Sequence, residues 1–321
     1  MQEVGHRTDG LRDKIAGAVW GHLVGDALGL PYESIPAELV REVRWGDRGI
    51  HGQPPGTWSD DGGLTLALLD SLLHGFDVED QARRALAWLD GPDYKPGPRF
   101  DIGATTRAAL ERVKAGWPAA TAGGTSESDN GNGSLMRIMP VALVGFRQPP
   151  AEVAKRACLA SQVTHGHPRA QTVCAVYCLV IRQLLLGGRN PEEALRRSLA
   201  EAETCLPAGP RTELSNALSY SQRAGTGYVV DTFWSAWDAF RDEASYREVV
   251  ERAILYGGDT DTTAAVAGGL AGIYWGFSGI PREWLAGMRG KEIVEPLIER
   301  LMALVGSDEC DQETDASRSS S

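Results

Sequence analysis

The sequence lacks the features that would staple or anchor it. Its five cysteines, Cys158, Cys174, Cys178, Cys205 and Cys310, are an odd number with no CxxC pair, which argues against a disulfide framework and against a zinc site. Cys174 and Cys178 share one face of the helical stretch VCAVYCLVI, as buried free thiols would. Positive charge is scarce: 32 Lys plus Arg stand against 43 Asp plus Glu, a formal net charge of -11. No basic block is available to hold a nucleic-acid backbone non-specifically. The opening residues, MQEVGHRTDGLRDK, lack the apolar core of a secretory signal, so a cytoplasmic protein is expected. There is also no β-branched alternation bounded by hairpin turns, as a sheet would require.

What is present is helical periodicity. With 321 residues, 42% hydrophobic and 23% charged, the chain is globular in composition and can bury a sizeable core. Apolar residues recur at helical spacing over 11–29, 62–74, 78–89, 102–115, 151–163, 168–186, 191–203, 246–256, 262–276 and 291–304, and predict an all-α fold. Turn-rich stretches separate them near 91–101, 121–134 and 207. By length alone residues 1–306 fit either one large domain or two ordinary ones, and the acidic, Ser-rich segment 307–321 is read as a disordered tail.

Two predicted helices carry glycines four apart: Gly17, Gly21, Gly25 and Gly29, then Gly268, Gly272 and Gly276. A glycine inside a helix costs about 1 kcal/mol against alanine, so a repeated row needs a compensating close approach of backbones. Two central, tightly packed helices are therefore expected. The second run, AAVAGGLAGIYWGFSGI, is uncharged, but it is only marginally long for a membrane span and is dominated by Gly and Ala.

The chemistry concentrates in GTWSDDGGLTLALLDSLL (56–73) and YGGDTDTTAAVAGGL (256–270), which set Asp60, Asp61, Asp259 and Asp261 at the starts of helices. Helix capping explains one acid at each start. Paired carboxylates repel by about 4 kcal/mol at an effective dielectric near 20, so a doubled motif calls for a cation. With the hydroxyls of Ser59 and Thr262 alongside, the ligands are all oxygen and suit Mg²⁺ or Mn²⁺. Spacing leaves capping and metal binding both open, and it does not bring the two segments together in space.

Further candidates lie elsewhere along the chain. The loop DNGNGSLMRIMP (129–140) exposes N–H groups suited to a phosphate or diphosphate, or forms an ordinary Asn-Gly turn. SQVTHGHPRAQT holds His165 and His167 before a helix; no zinc set accompanies them, and His165 is of interest as a hydrogen-bonding group for a substrate. GDALGLPYES delivers Glu33 from the first glycine-striped helix, and FDIGATTRAAL sets Asp101 at another helix start, where capping is the default role.

Taken in order, GDALGLPYE, WSDDGGLTLAL, FDIGATTRAAL, GNGSLMRIMP, THGHP and GGDTDTTAA resemble the ADP-ribosylglycohydrolase family, especially the branch that reactivates dinitrogenase reductase by removing ADP-ribose from arginine. The resemblance spans residues 11–276. It implies a single compact domain of orthogonally packed helices around a cleft with two Mg²⁺ or Mn²⁺ ions. It makes Ser59, Asp60, Asp61, Asp259, Asp261 and Thr262 the metal ligands, with Glu33 at the metal site as a further ligand or gate. Gly131, Asn132 and Gly133 would hold a diphosphate, Ser134 would add a hydroxyl, and His165 would line the ribose pocket. Gly62 stands where the family often has threonine or serine, a change expected to weaken metal affinity.

The function implied is hydrolysis of the glycosidic bond between ADP-ribose and an acceptor, with ADP-ribosyl-arginine on protein the first choice. Asp60 or Asp61 would take the proton of the attacking water, and Asp101, or else Glu33, would manage the proton at the leaving group. The catalytic acids are thus Asp61, Asp101 and Glu33. Two other readings are a catalytically silent ADP-ribose binder or structural protein of the same fold, and a two-metal phosphoesterase, which would release AMP instead of ADP-ribose. The expected partner is an ADP-ribosylated protein or conjugate, the expected state a monomer, and no membrane is involved.

Overall fold

The two glycine rows lie against each other. In the computed structural model, which describes residues 2–318 and their side chains over 10–306, the helix Gln2–Gly29 packs antiparallel to the helix Thr260–Trp275. A Cβ added at Gly17 would fall 2.1 Å from the Gly272 carbonyl oxygen, and at Gly21 2.4 Å from that of Gly268. At Gly25 it would meet the Ala264 carbonyl at 2.1 Å, and at Gly29 the Thr260 carbonyl at 2.4 Å. Each step of four along one helix is a step of four back along the other, so the bare row lets the backbones touch. Tyr246 donates its hydroxyl to Gly21 O (2.6 Å) and Tyr177 donates to Val266 O (3.0 Å), tying the pair into the surrounding core. The run AAVAGGLAGIYW is thus a core helix, and no helix of the described residues is long and apolar enough to cross a membrane.

Among the described residues the secondary structure is fifteen α-helices with short 3₁₀ turns and no extended strand, the all-α fold expected. Each of the ten predicted helices is present, with ends displaced by a few residues in most cases; the last is Lys291–Arg318. The tail expected from Ser307 falls outside the residues whose side chains are described. Among helices the periodicity did not reveal, Val229–Arg241 is rich in β-branched and aromatic residues of low helix propensity. Ala208–Leu218 opens on Ala-Gly-Pro, a turn signal in sequence, but Pro210 lies in the first turn, where its missing N–H costs no intrahelical bond.

The antiparallel pair also sets up the site. It brings the C-terminal end of the first helix beside the N-terminus of the second, where the Thr260 hydroxyl donates to Gly29 O (2.8 Å) and Ser34 N–H to Gly258 O (2.6 Å). Residues after Gly29, including Glu33, therefore emerge next to Asp259 and Asp261.

Candidate active site

Four segments meet at that junction. From the first helix, the fully buried Asp26 accepts hydrogen bonds from Ser59 N–H (3.0 Å to each oxygen) and from Gly62 N–H (2.8 Å). These are free N–H groups at the start of the helix Asp60–Leu72, so Asp26 caps that helix from another element. Ser59 is its N-cap: its Oγ accepts from Asp61 N–H at 3.2 Å. Asp60 and Asp61 are left over from capping. Asp60 accepts from Gly103 N–H (3.3 Å) and Asp61 from Thr262 Oγ1 (3.2 Å), which joins the FDIG loop and the second glycine-striped helix to the same point.

Asp259 occupies the N-cap position of Thr260–Trp275 without making a side-chain cap bond. Its Oδ2 accepts instead from Asn132 Nδ2 (2.9 Å), and Asn132 also donates to Thr232 Oγ1 (3.0 Å). Asp261 is buried, with Oδ1 accepting from Thr262 N–H (2.9 Å). Capping thus leaves three of the four motif acids, Asp60, Asp61 and Asp259, unexplained.

Asp101 is not a cap either. The helix Ala104–Lys114 has Gly103 at its N-cap with no side-chain bond, while Asp101 Oδ1 accepts from Ile102 N–H (2.8 Å). Carboxylate oxygens of Glu33, Asp101 and Asp261 lie within 4.8 Å of one another. Glu33 Oε2 also accepts from His51 Nε2 at 2.5 Å, and the His51 ring leans on Phe100 with centroids 5.3 Å apart.

Burial first, and crowding second, raise Asp26, Glu33, Asp60, Asp61 and Asp261. Burial, then Asp101 and Asp26, lift Asp60 to about 8; burial lifts Asp26 to about 7 against its N–H bonds. Asp61 and Asp261 are raised well above the carboxylate range by burial and by neighbouring aspartates, and Glu33 is raised by burial despite the His51 hydrogen bond. Asp61 Oδ1 is buried with no protein partner. A cluster that resists ionisation, with an orphaned carboxylate oxygen and hydroxyls beside it, fits a hard divalent cation.

The acids line one part of a cleft of about 310 Å³. Gly131, Asn132, Gly133 and His165 line it too, with Thr106, whose buried hydroxyl has no protein partner. No lysine or arginine is among its lining residues. His165 shares a hydrogen bond through Nδ1 with Thr164 Oγ1 (2.8 Å), and burial together with the Arg137 charge drives its pKa down to about 3, so the imidazole is neutral. His167 takes the plain helix-start role, accepting from Arg169 N–H at 3.1 Å.

Two expectations are corrected. Ser134 does not reach the cleft: it is fully buried, its Oγ lies 3.3 Å from Cys174 Sγ and accepts from Ser161 Oγ (2.9 Å), so its hydroxyl serves the core. Gly62 removes no group from the acid cluster, because a Cβ there would point at Leu23 and Trp58, 2.7 Å away. Sequence reasoning also missed Asp26, His51 and Thr106. Asp26 had a usable signal, the one acid in the stretch 15–31, which is apolar apart from it and His22 and so must satisfy the carboxylate with some partner; His51 and Thr106 had none.

The sequence profile described as ADP-ribosylglycohydrolase matches residues 7–310. The chain is 31% identical over 303 residues to the ADP-ribosylarginine hydrolase Tri1 of Pseudomonas putida (strain GB-1), covering 90% of this chain and 78% of that protein. It is 30% identical over 316 residues to the ADP-ribosyl-[dinitrogen reductase] glycohydrolase of Rhodospirillum rubrum, covering 93% and 98%. A solved structure, the ADP-ribosylglycohydrolase-related protein complex, superposes with a TM-score of 0.77 at 35% identity, covering 92% of this chain and 99% of that one. With the family profile spanning nearly its whole length and the acid cluster assembled in one cleft, the chain belongs to the ADP-ribosylglycohydrolase family.

Proposed function

We propose that this protein is a metal-dependent hydrolase that releases ADP-ribose from ADP-ribosyl-arginine on protein. The observation that carries the reading is the convergence of Glu33, Asp60, Asp61, Asp101, Asp259 and Asp261 in a cleft that also presents Gly131, Gly133 and His165 and no lysine or arginine. Unit charges about 4 Å apart interact by roughly 4 kcal/mol at an effective dielectric of 20, so these acids work together only when cations share them. Ser59, Asp60, Asp61, Asp259, Asp261 and Thr262, with Glu33, would hold two Mg²⁺ or Mn²⁺ ions. Such ions supply charge neutralisation and bring the pKa of water toward neutrality.

The protein's own groups then divide the work. Asn132 N–H is spent on Gly227 O (3.0 Å), so the N–H groups of Gly131 and Gly133, the side-chain-uncapped start of Ala104–Lys114 and the Thr106 hydroxyl hold the diphosphate. His165, neutral, lines the ribose. Water adds to C1″ of the distal ribose as the C1″–N bond breaks; its proton goes to Asp60 or Asp61. Asp101 hands a proton to the departing guanidine nitrogen, because an unprotonated guanidine is a poor leaving group. Arginine as acceptor is supported by the name of the Pseudomonas relative and by the FDIG segment that carries Asp101.

The test is release of free ADP-ribose from an ADP-ribosyl-arginine protein, with and without Mg²⁺ or Mn²⁺, beside an Asp61→Ala, Asp261→Ala double variant. Metal-dependent release that the double variant abolishes is the expected result. Release of AMP, or no release from this acceptor at saturating metal, would defeat the proposal.

A further inference from the structure

Arg137 is a buried guanidinium that no carboxylate neutralises. It is 5% exposed; Nη1 donates to Gly133 O (2.6 Å) and Nη2 to Ala160 O (3.0 Å), and among the described residues it forms no ion pair. The small internal cavity it borders offers Gln81, Thr164 and apolar side chains, and no acid. An ionised side chain in such surroundings is costly, and two carbonyl dipoles compensate it only in part. Burial lowers its pKa to about 10, which leaves it charged at neutral pH.

The carbonyl that Arg137 grips belongs to the wall of the cleft. Gly133 lines the cleft while Arg137 does not. Because the peptide unit is planar, anchoring Gly133 O sets the plane of the Gly133–Ser134 peptide and stiffens the turn. The charge is also felt across that wall, since it contributes to keeping the His165 imidazole neutral. A positive charge in a low-dielectric wall acts on a ligand more strongly than a solvated lysine at the rim would.

We infer that Arg137 is a positioning residue for a bound diphosphate, holding the Gly131–Gly133 turn through Gly133 O and supplying, without touching the ligand, the positive field that the cleft lining lacks. The inference rests on the ADP-ribose reading above for the identity of the diphosphate, and on the geometry alone for the anion.

Calorimetric titration of the full chain with ADP-ribose and with inorganic pyrophosphate tests it, comparing the native protein with Arg137→Met and Arg137→Lys and recording each melting temperature. Methionine removes the charge and both hydrogen bonds; lysine keeps the charge and reaches one carbonyl. The expected result is an affinity loss of about tenfold or more for both probes in Arg137→Met, and of about threefold in Arg137→Lys, although both variants lose thermal stability. Equal losses in the two variants would mean a packing role only and overturn the inference, as would affinities within about twofold of native in both. Should Arg137→Met not fold, Arg137→Gln, neutral but able to donate one bond, takes its place with the same expected ordering. A native protein that binds pyrophosphate through Arg137 but not ADP-ribose would keep this inference and overturn the proposed substrate. One that binds neither probe overturns both.

Discussion

Asn132 donates its side-chain amide to Asp259 Oδ2 at 2.9 Å, so the glycine turn is joined directly to the acid cluster. The amide is therefore spent on orienting a carboxylate. Asn132→Ala frees Asp259 to turn, and groups that orient metal ligands typically matter by tenfold or more in affinity. Mn²⁺ affinity measured by calorimetry is expected to fall about tenfold in this variant. An unchanged affinity would show that Asp259 is held by other means.

Asp101 sits with Glu33 and Asp261 but is tied only to its own neighbouring N–H. If it manages the leaving-group proton, Asp101→Asn lowers turnover by about 10²-fold or more while the affinity for ADP-ribose stays within about threefold. Steady-state kinetics with ADP-ribosyl-arginine protein, alongside product titration, separates the two quantities. Full turnover in this variant would remove Asp101 from the mechanism.

The raised carboxylates predict an unusual pH dependence for the metal-free protein. Asp26 at about 7 and Asp60 at about 8 hold protons that the unfolded chain has released above its ordinary value near 3.8. Between those limits the folded state binds more protons than the unfolded state, so stability falls as pH rises from about 4 to about 8. Metal-free protein should melt higher at pH 5.5 than at pH 8, and Mn²⁺ should raise the melting temperature more at pH 8, with proton release on binding. Melting curves at both pH values check the sign; a metal-free protein that is more stable at pH 8 would contradict it.

The helix seam makes a prediction about stability alone. A Cβ at Gly272 would fall 1.9 Å from the Gly17 carbonyl oxygen, a backbone atom that cannot move by itself. Gly272→Ala is expected to cost about 3 kcal/mol or to prevent folding, whereas Gly10→Ala, in the same helix as Gly17 but with nothing within 4 Å, is expected to stabilise by about 0.5–1 kcal/mol. Circular-dichroism melts of the two variants provide the comparison.

Much of this arrangement was legible in the residues. Apolar spacing of 3.6 and the paucity of strand patterns determine an all-α chain, because that periodicity is a local property of the sequence. The glycine rows determine that two helices pack backbone to backbone, since bare rows are destabilising otherwise. Doubled acids in SDDGG and GGDTDTT mark the chemistry, because capping needs one acid and repulsion penalises two. Local patterns failed where neighbours decide the outcome: Val229–Arg241 is helical because its apolar face is buried, against its propensity.

The meeting of the parts belongs to the tertiary structure. Residue types cannot say which helix end faces which, and here the antiparallel seam is what sets Glu33 beside Asp261 and leads Asp26 to the start of the Asp60–Leu72 helix. The same packing turned Ser134 into the core, gave Asn132 to Asp259, and left Arg137 buried behind the turn without an acid. Partners such as Asn132 and Asp259, 127 residues apart, are chosen by the fold's geometry, and sequence spacing carries no information about them.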